Sequence, residues 1–339
     1  MRAVAYSSAG PIEATDSLVD VDMPEPVLGD RDLLVEVKAI SVNPVDTKVR
    51  RKVAPASGAW KILGWDAAGI VVGAGRDVKN FKPGDKVYYA GDLTRQGTNA
   101  ERHAVDERIV GHMPRSLDFA NAAGLPLTAI TAWEALFDRL DVNRPVAGAD
   151  NSILIIGGAG GVSSIAIQLV RQLTGLNVIA TASNDTSRAW VKDMGAHALL
   201  DHRAPLTEEL QKQGLAAPAF VFGTTATEAH LAQIAELIAP QGRFAVIDDP
   251  AVFDINPFKR KSVSIHWEFM FTRSMHQTAD MDEQGKLLNE VAILVDAGRI
   301  KTTVGNHFGR INAENLKRAH MLLESGRAKG KIVLEGFGV

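Results

Sequence analysis

The sequence predicts an α/β protein, with a doubly wound parallel sheet in the middle of the chain and a β-rich portion around it. Three observations predict this. Residues 153–170, ILIIGGAGGVSSIAIQLV, run from four apolar residues through a glycine-rich turn into an apolar helical pattern. Short apolar segments then recur downstream at spacings of about one helix. The first 125 residues alternate in short stretches punctuated by glycine and proline, as strands joined by tight turns do.

In chain order, Leu33–Val37 and Ala68–Val72 are predicted strands. Turn signals surround them at Val27-Leu28-Gly29-Asp30, Gly73-Ala74-Gly75 and Lys82-Pro83-Gly84-Asp85. Such punctuation predicts a barrel-like domain. From Ala120 to Leu136 the pattern turns helical, and Pro145 and Gly148 lead into the strand Ile153–Ile156. An unbroken apolar run of this length is that of a parallel strand buried on both faces. Gly157, Gly158, Gly160 and Gly161 make the turn; Ile165, Leu169 and Leu173, with Ile167 and Val170, mark the buried face of the helix. Unpaired N–H groups and the helix dipole converge at such a place, so a strand, a glycine turn and a helix N-terminus form an anion site. A dinucleotide pyrophosphate binds there in sheets of this kind.

A glycine turn alone also serves packing, and the dinucleotide reading needs the alternation that follows. Residues 176–182 form a second strand, and a helix opens at Ser183 and Asn184 and stops at Gly195. Strands at His197–Leu200, Ala219–Phe222 and Phe244–Ile247, with a helix at 228–239, complete the pattern of a parallel sheet. Helices at 284–297 and 313–325 and a strand at Lys331–Leu334 end the chain. These last elements have too little of their own to bury and are expected to return to the first portion. The expected division is a discontinuous β-rich domain, 1–129 and 269–339, and a nucleotide domain, 130–268.

Composition narrows the classes. The length of 339 residues favours two domains, and 46% apolar residues supply a large core. A net charge of −3 argues against a nucleic-acid or membrane role, and the one dense basic cluster is Lys259, Arg260 and Lys261. There is no cysteine, which removes disulfides, thiolate metal sites and a thiol nucleophile together. The N-terminal MRAVAYSSAG lacks the apolar core of a secretory signal, and no apolar run approaches the ~20 residues of a membrane span, so a cytoplasmic location is expected.

Six segments together resemble the medium-chain dehydrogenase/reductase superfamily: VKAISVNPVDTK (37–48), ILGWDAAGIVVGAG (62–75), FKPGDKV (81–87), LPLTAITAWEAL (125–136), IIGGAGGV (155–162) and GKIVL (330–334). Within it they are similar to the quinone oxidoreductase-like branch, among the zinc-type alcohol dehydrogenase-like proteins. The resemblance spans essentially the whole chain. It implies a catalytic domain with a chaperonin-like barrel, a Rossmann domain, and a cleft holding NADPH and substrate. It also implies dimers formed by edge pairing of the nucleotide-domain sheets.

Zinc-bearing relatives take a cysteine, a histidine and a further cysteine or acid as ligands, where this chain has Asn43, Trp65 and Leu125. None is a normal zinc ligand, the four closely spaced cysteines of a structural zinc are missing, and the nine histidines show no HxH or HxxxH pair. The chain is expected to be zinc-free.

In the nucleotide domain, Gly157, Gly158, Gly160 and Gly161 are expected to form the turn, with the N–H groups of Ala159 to Val162 on the pyrophosphate. Ser163 stands where many relatives have a further glycine. An acid at the end of the second strand accepts ribose hydroxyls in NAD enzymes. That place reads Ala182-Ser183-Asn184, with Arg188 one turn on; hydroxyl and guanidinium groups suit a 2′-phosphate, and NADP(H) is the expected cofactor. The competing reading makes Ser183 a helix cap, Arg188 a surface charge and Asp185 the ribose ligand.

By resemblance, the reactive residues are Asn43, Asp46 and Lys48, with Thr128 near the nicotinamide ribose, Lys331 reaching a cofactor phosphate, and Trp65, Tyr89 and Phe271 lining the substrate. Lys48 replaces a tyrosine of several relatives and could stabilise an oxyanion, or be an exposed helix residue beside Arg50, Arg51 and Lys52. Asp46 reads also as a structural acid near a helix start. Phe269 and Phe271 form an aromatic pair that reads first as core. The reaction expected is hydride transfer to a quinone or α,β-unsaturated carbonyl, acceptors that need no Lewis acid. The alternatives are a zinc alcohol dehydrogenase and a non-catalytic NADPH-binding sensor.

Overall fold

A computed structural model describes residues 1–338, which fold as two compact units. Unit 1 comprises Met1–Ile130 together with the chain from Phe271 onward, and unit 2 comprises Thr131–Met270.

Unit 1 opens with β1 (Arg2–Tyr6), β2 (Val19–Asp22) and β3 (Asp32–Val42), followed by α1 (Pro44–Lys52), β4 (Lys61–Ile62), β5 (Ala67–Ala74), β6 (Lys86–Tyr89), β7 (Arg102–Asp106) and β8 (Val110–His112). Helix α2 (Phe119–Ala123) starts at an Asp118 cap, and α3 (Pro126–Trp133) follows. The helical run expected over Ala120–Leu136 is thus divided at Gly124 and Pro126, and ends in a π-helix, Glu134–Arg139. Proline without an N–H fits a helix's first position, which sets the restart.

Unit 2 contains β9 (Asp150–Ile156), α4 (Gly161–Leu173), β10 (Asn177–Thr181), α5 (Asp185–Asp193), β11 (Ala198–Leu200), α6 (Leu206–Lys212), β12 (Pro218–Gly223), α7 (Thr227–Leu237), β13 (Arg243–Val246) and β14 (Ser264–Trp267). The chain then returns to unit 1 with α8 (Thr272–His276), α9 (Glu283–Asp296), β15 (Val304–His307), α10 (Ala313–Glu324) and β16 (Lys331–Glu335).

In unit 1 a small sheet has the order β2-β1-β4, and a seven-stranded sheet runs β15-β16-β3-β5-β6-β8, with β7 also on β3. β16 pairs antiparallel with β3, placing Ile332 opposite Val42, so the C-terminal segment joins the sheet begun by the N-terminal one.

Unit 2 is a parallel sheet in the order β11-β10-β9-β12-β13-β14. This is the doubly wound order in which the chain leaves its first strand in both directions, making the carboxyl ends of β9 and β12 the switch point. Its core packs Leu154, Ile156, Ile179, Val221, Ile234, Phe244 and Val246 against one another. β14 was not expected. It is an edge strand with Ser264 and Trp267 exposed, so its sequence carries no buried run.

Candidate functional site

At the switch point, β9 ends and Gly157 turns the chain at φ +80°. The Gly157 N–H donates to Thr181 Oγ1 at 2.9 Å, and the Gly158 N–H to the Thr181 carbonyl at 3.0 Å. The end of β10 thereby fixes the turn. Gly158 has no room for a side chain, since a Cβ would meet the Thr181 carbonyl at 2.9 Å. Gly160 caps α4, and Gly161 and Val162 open its first turn, where N–H groups have no intrahelical partner. Among Ala159 to Val162, the Gly160 N–H is taken by the Gly157 carbonyl at 3.0 Å. Ser163 is fully buried, and its hydroxyl pairs with Thr224 Oγ1 at 2.9 Å, while Thr224 Oγ1 donates to the Ile156 carbonyl at 2.7 Å. Serine here adds a tie between α4 and the end of β12.

At the end of β10, Asn184 caps α5, accepting from the Ser187 N–H at 2.9 Å. Ser183 therefore lies before the cap, and the cap-like start belongs to its neighbour. Arg188 is partly buried, and its guanidinium donates to the Ala182 carbonyl at 3.3 Å, beside Ser183. Asp185 is exposed in the first turn of α5, where an acid is stabilised by the helix dipole.

In unit 1 the residues at the end of β3 gather into a buried polar cluster. Asn43, Asp46, Asp66 and Lys331 are each at most 3% exposed. The Lys331 ammonium donates to Asn43 Oδ1, to Asp66 Oδ2 at 3.0 Å and to the Val42 carbonyl at 3.3 Å. Asn43 Nδ2 also donates to Asp66 Oδ2, at 2.8 Å, and Asp66 Oδ1 accepts the Leu127 N–H at 2.8 Å, at the start of α3. Asp46 Oδ2 accepts the Asn43 N–H at 2.6 Å, at the start of α1. Burial drives the Asp46 carboxyl up to about 7, against the pull of the Asn43 N–H and Lys331. Burial also pushes Asp66 up, opposed by Lys331 and Asn43. All three Lys331 acceptors lie in this cluster, so a phosphate contact would have to be made at the expense of a buried ion pair.

The other expected residues are placed as follows. Lys48 is exposed on α1. Thr128 is buried and its hydroxyl donates to the Leu125 carbonyl at 3.0 Å. Trp65, Tyr89 and Phe271 are all buried. Trp65 Nε1 donates to the Asp92 carbonyl at 3.1 Å, and its ring meets Phe271 edge-on at 6.2 Å. Tyr89 stacks on His103, with its hydroxyl 3.1 Å from Nδ1, while Nε2 faces the Gln96 carbonyl at 2.9 Å. Burial holds the His103 imidazole down to about 4, so it is neutral and can accept from Tyr89. Phe269, expected as core, is 49% exposed. Lys261 of the basic triplet donates to the Glu236 and Ile238 carbonyls at the end of α7, a helix-terminus contact.

Sequence reading missed Thr181, Thr224 and Asp66. An acid inside the apolar run ILGWDAAGIVV was the available signal for Asp66; the two threonines lie at strand ends with nothing local to single them out.

The chain matches two family models: an alcohol dehydrogenase GroES-like domain over residues 29–123 and a zinc-binding dehydrogenase over residues 194–334. It is 37% identical, over 98% of its length and 99% of the relative's, to a zinc-type alcohol dehydrogenase-like protein of Staphylococcus aureus. A crystal structure from Rhizobium etli, assigned by name to the zinc-dependent alcohol dehydrogenases, superposes with a TM-score of 0.98 at 61% identity, covering 100% of this chain and 99% of that one. The quinone oxidoreductase of Coxiella burnetii superposes with a TM-score of 0.80 at 26% identity, covering 99% of each chain. The chain therefore belongs to the medium-chain dehydrogenase/reductase superfamily, in its quinone oxidoreductase-like branch. It is an oxidoreductase of that type.

The names of these relatives imply zinc, and the residues present do not fit it. Among the described residues no three His, Cys, Asp or Glu side chains group as a metal would require. At the end of β3 the donors are one amide and two carboxylates, and a lysine ammonium lies among them. Zinc prefers thiolate and imidazole, and it would meet a fixed positive charge there.

Proposed function

We propose that the protein is a zinc-independent, NADPH-dependent reductase of quinones or α,β-unsaturated carbonyls. The observation that supports it most is the glycine turn at the switch point, pinned by Thr181 and opening onto the first turn of α4. NADPH supplies the hydride when bound. Ala159, Gly161 and Val162 offer N–H groups to its pyrophosphate, and Ser183 and Arg188 offer a hydroxyl and a guanidinium to its 2′-phosphate. Asn43, Asp46 and Lys48 remain the residues proposed to act near the reacting atoms. Asn43 is held rigid by Asp66 and Lys331, which suits a positioning group. An acceptor whose product is an enolate or hydroquinone oxyanion takes hydride without a Lewis acid, which matches the unsuitability of the donor set for zinc. β14, an outer strand with Trp267 and Phe269 about half exposed, supports pairing with a second copy at that edge.

The test is turnover by the chelator-treated full chain against a panel of quinones and enones, with NADPH and NADH in parallel. NADPH oxidation without metal is expected. Tight NADPH binding with no turnover on the panel would favour a sensor, and activity restored only by zinc would overturn the reading.

A further inference from the structure

The buried lysine beside the end of β3 is unusual in what surrounds it. A lysine only 3% exposed, at the start of β16, is held by three oxygens: an amide, a carboxylate and a main-chain carbonyl. A second carboxylate, Asp46, lies within the electrostatic reach of both Lys331 and Asp66. A carboxylate, an amide oxygen and a main-chain carbonyl are donors of the kind that hard divalent cations take, and the ammonium stands among all three.

We propose, on the zinc-independent part of the reading above, that Lys331 is a built-in cation. It fills this oxygen-lined position and bars a divalent ion from it. The oxygens keep partners besides the lysine. Asp66 Oδ1 accepts the Leu127 N–H at the start of α3, and the Asn43 amide is tied to Asp66 Oδ2 through its own Nδ2. Shortening Lys331 removes the charge and opens the length of its stem, leaving Asp66, Asn43 and the Val42 carbonyl directed at the vacated point. The class of ligand is a hard divalent cation such as Mn2+ or Ca2+, with water completing its shell.

The experiment is Mn2+ titration of the full chain, read by loss of the free-ion electron paramagnetic resonance signal. Wild type is expected to leave the signal unchanged, and Lys331→Ala to take up one equivalent with a dissociation constant on the order of 10⁻⁴–10⁻³ M, as weak oxygen-ligand sites do. Lys331→Ala/Asp66→Asn is expected to lose that uptake at least about tenfold. If Lys331→Ala does not fold alone, its refolding yield should rise with millimolar Mn2+ and not with K+; equal failure in both overturns the proposal. A folded Lys331→Ala that binds nothing overturns it while leaving metal-free turnover of the wild type standing. Stoichiometric uptake by wild type, abolished by Asp66→Asn, overturns both this proposal and zinc independence.

Discussion

Gly157→Ala tests whether the turn at the end of β9 is built as the structure shows. The added methyl carbon would lie 2.6 Å from Thr225 Cγ2 and 2.9 Å from Thr224 Oγ1, on a residue at φ +80°. Thr224 cannot swing aside freely, because its hydroxyl is bonded to both the Ile156 carbonyl and Ser163. A left-handed alanine costs about 1–2 kcal/mol. Overpacking adds about 1–3 kcal/mol. The reduced freedom of the unfolded chain returns about 0.4–1 kcal/mol. The net is a loss of about 1–4.5 kcal/mol. Gly160→Ala is the control. Gly160 has extended backbone at φ −70°, and its added carbon would meet only the Gly157 carbonyl, at 3.3 Å, so it should be near neutral. At about 2–4 °C per kcal/mol for a unit of this size, Gly157→Ala should lower Tm by roughly 2–18 °C, and Gly160→Ala should leave it nearly unchanged. Calorimetry of the full chain measures both. Equal shifts in the two variants would refute the geometry of the turn, whatever the cofactor proves to be.

Three further outcomes follow from particular contacts. Arg188→Ala should raise KM for NADPH about tenfold or more, the loss of one charge-assisted contact, and leave KM for NADH within about twofold; equal effects on both would remove Arg188 from the 2′-phosphate. Tyr89→Phe should cost about 1–3 kcal/mol in urea unfolding, because it strips the hydroxyl from His103 Nδ1 in a buried place; a change under about 0.5 kcal/mol would show that the hydroxyl is idle. Glu268 is buried against Glu134, and burial and that neighbouring carboxylate push its carboxyl well above its ordinary 4.5, opposed by Arg139. The folded state thus holds its proton more tightly than the unfolded chain does. Its stabilisation is complete below about pH 4.5 and is lost as pH rises toward the raised value. Glu268→Gln should flatten the decline of Tm between about pH 5 and 8; a decline parallel to that of wild type would refute the proton held there.

Burial on both faces explains what was legible. β9, β10, β12 and β13 each carry an unbroken buried apolar stretch, Ile153–Ile156, Val178–Ala180, Ala219–Phe222 and Phe244–Val246, because both faces of the sheet are covered there, and the glycines at the end of β9 announce the turn directly. β14 failed for the converse reason: an edge strand needs no continuous apolar run, and the alternation of Ser264-Ile265-His266-Trp267 is only four residues long, too short to stand out. The start of α5 was legible to within one residue, since Ser183 and Asn184 are both good caps and only the backbone decides between them. The cluster at the end of β3 was legible least. Lys331 lies 288 residues from Asn43 and 265 from Asp66, and a lysine at the start of a strand looks, in its own window, like any solvated charge. Its burial follows from a pairing, not from a pattern. Asp66 was the readable half, since an acid flanked by apolar residues on both sides needs a partner, and a buried carboxylate tied at one oxygen to a helix N-terminus leaves its other oxygen for a cation. In a chain with no cysteine, and with Trp65 where zinc-bearing relatives take a histidine, that cation comes from the chain itself.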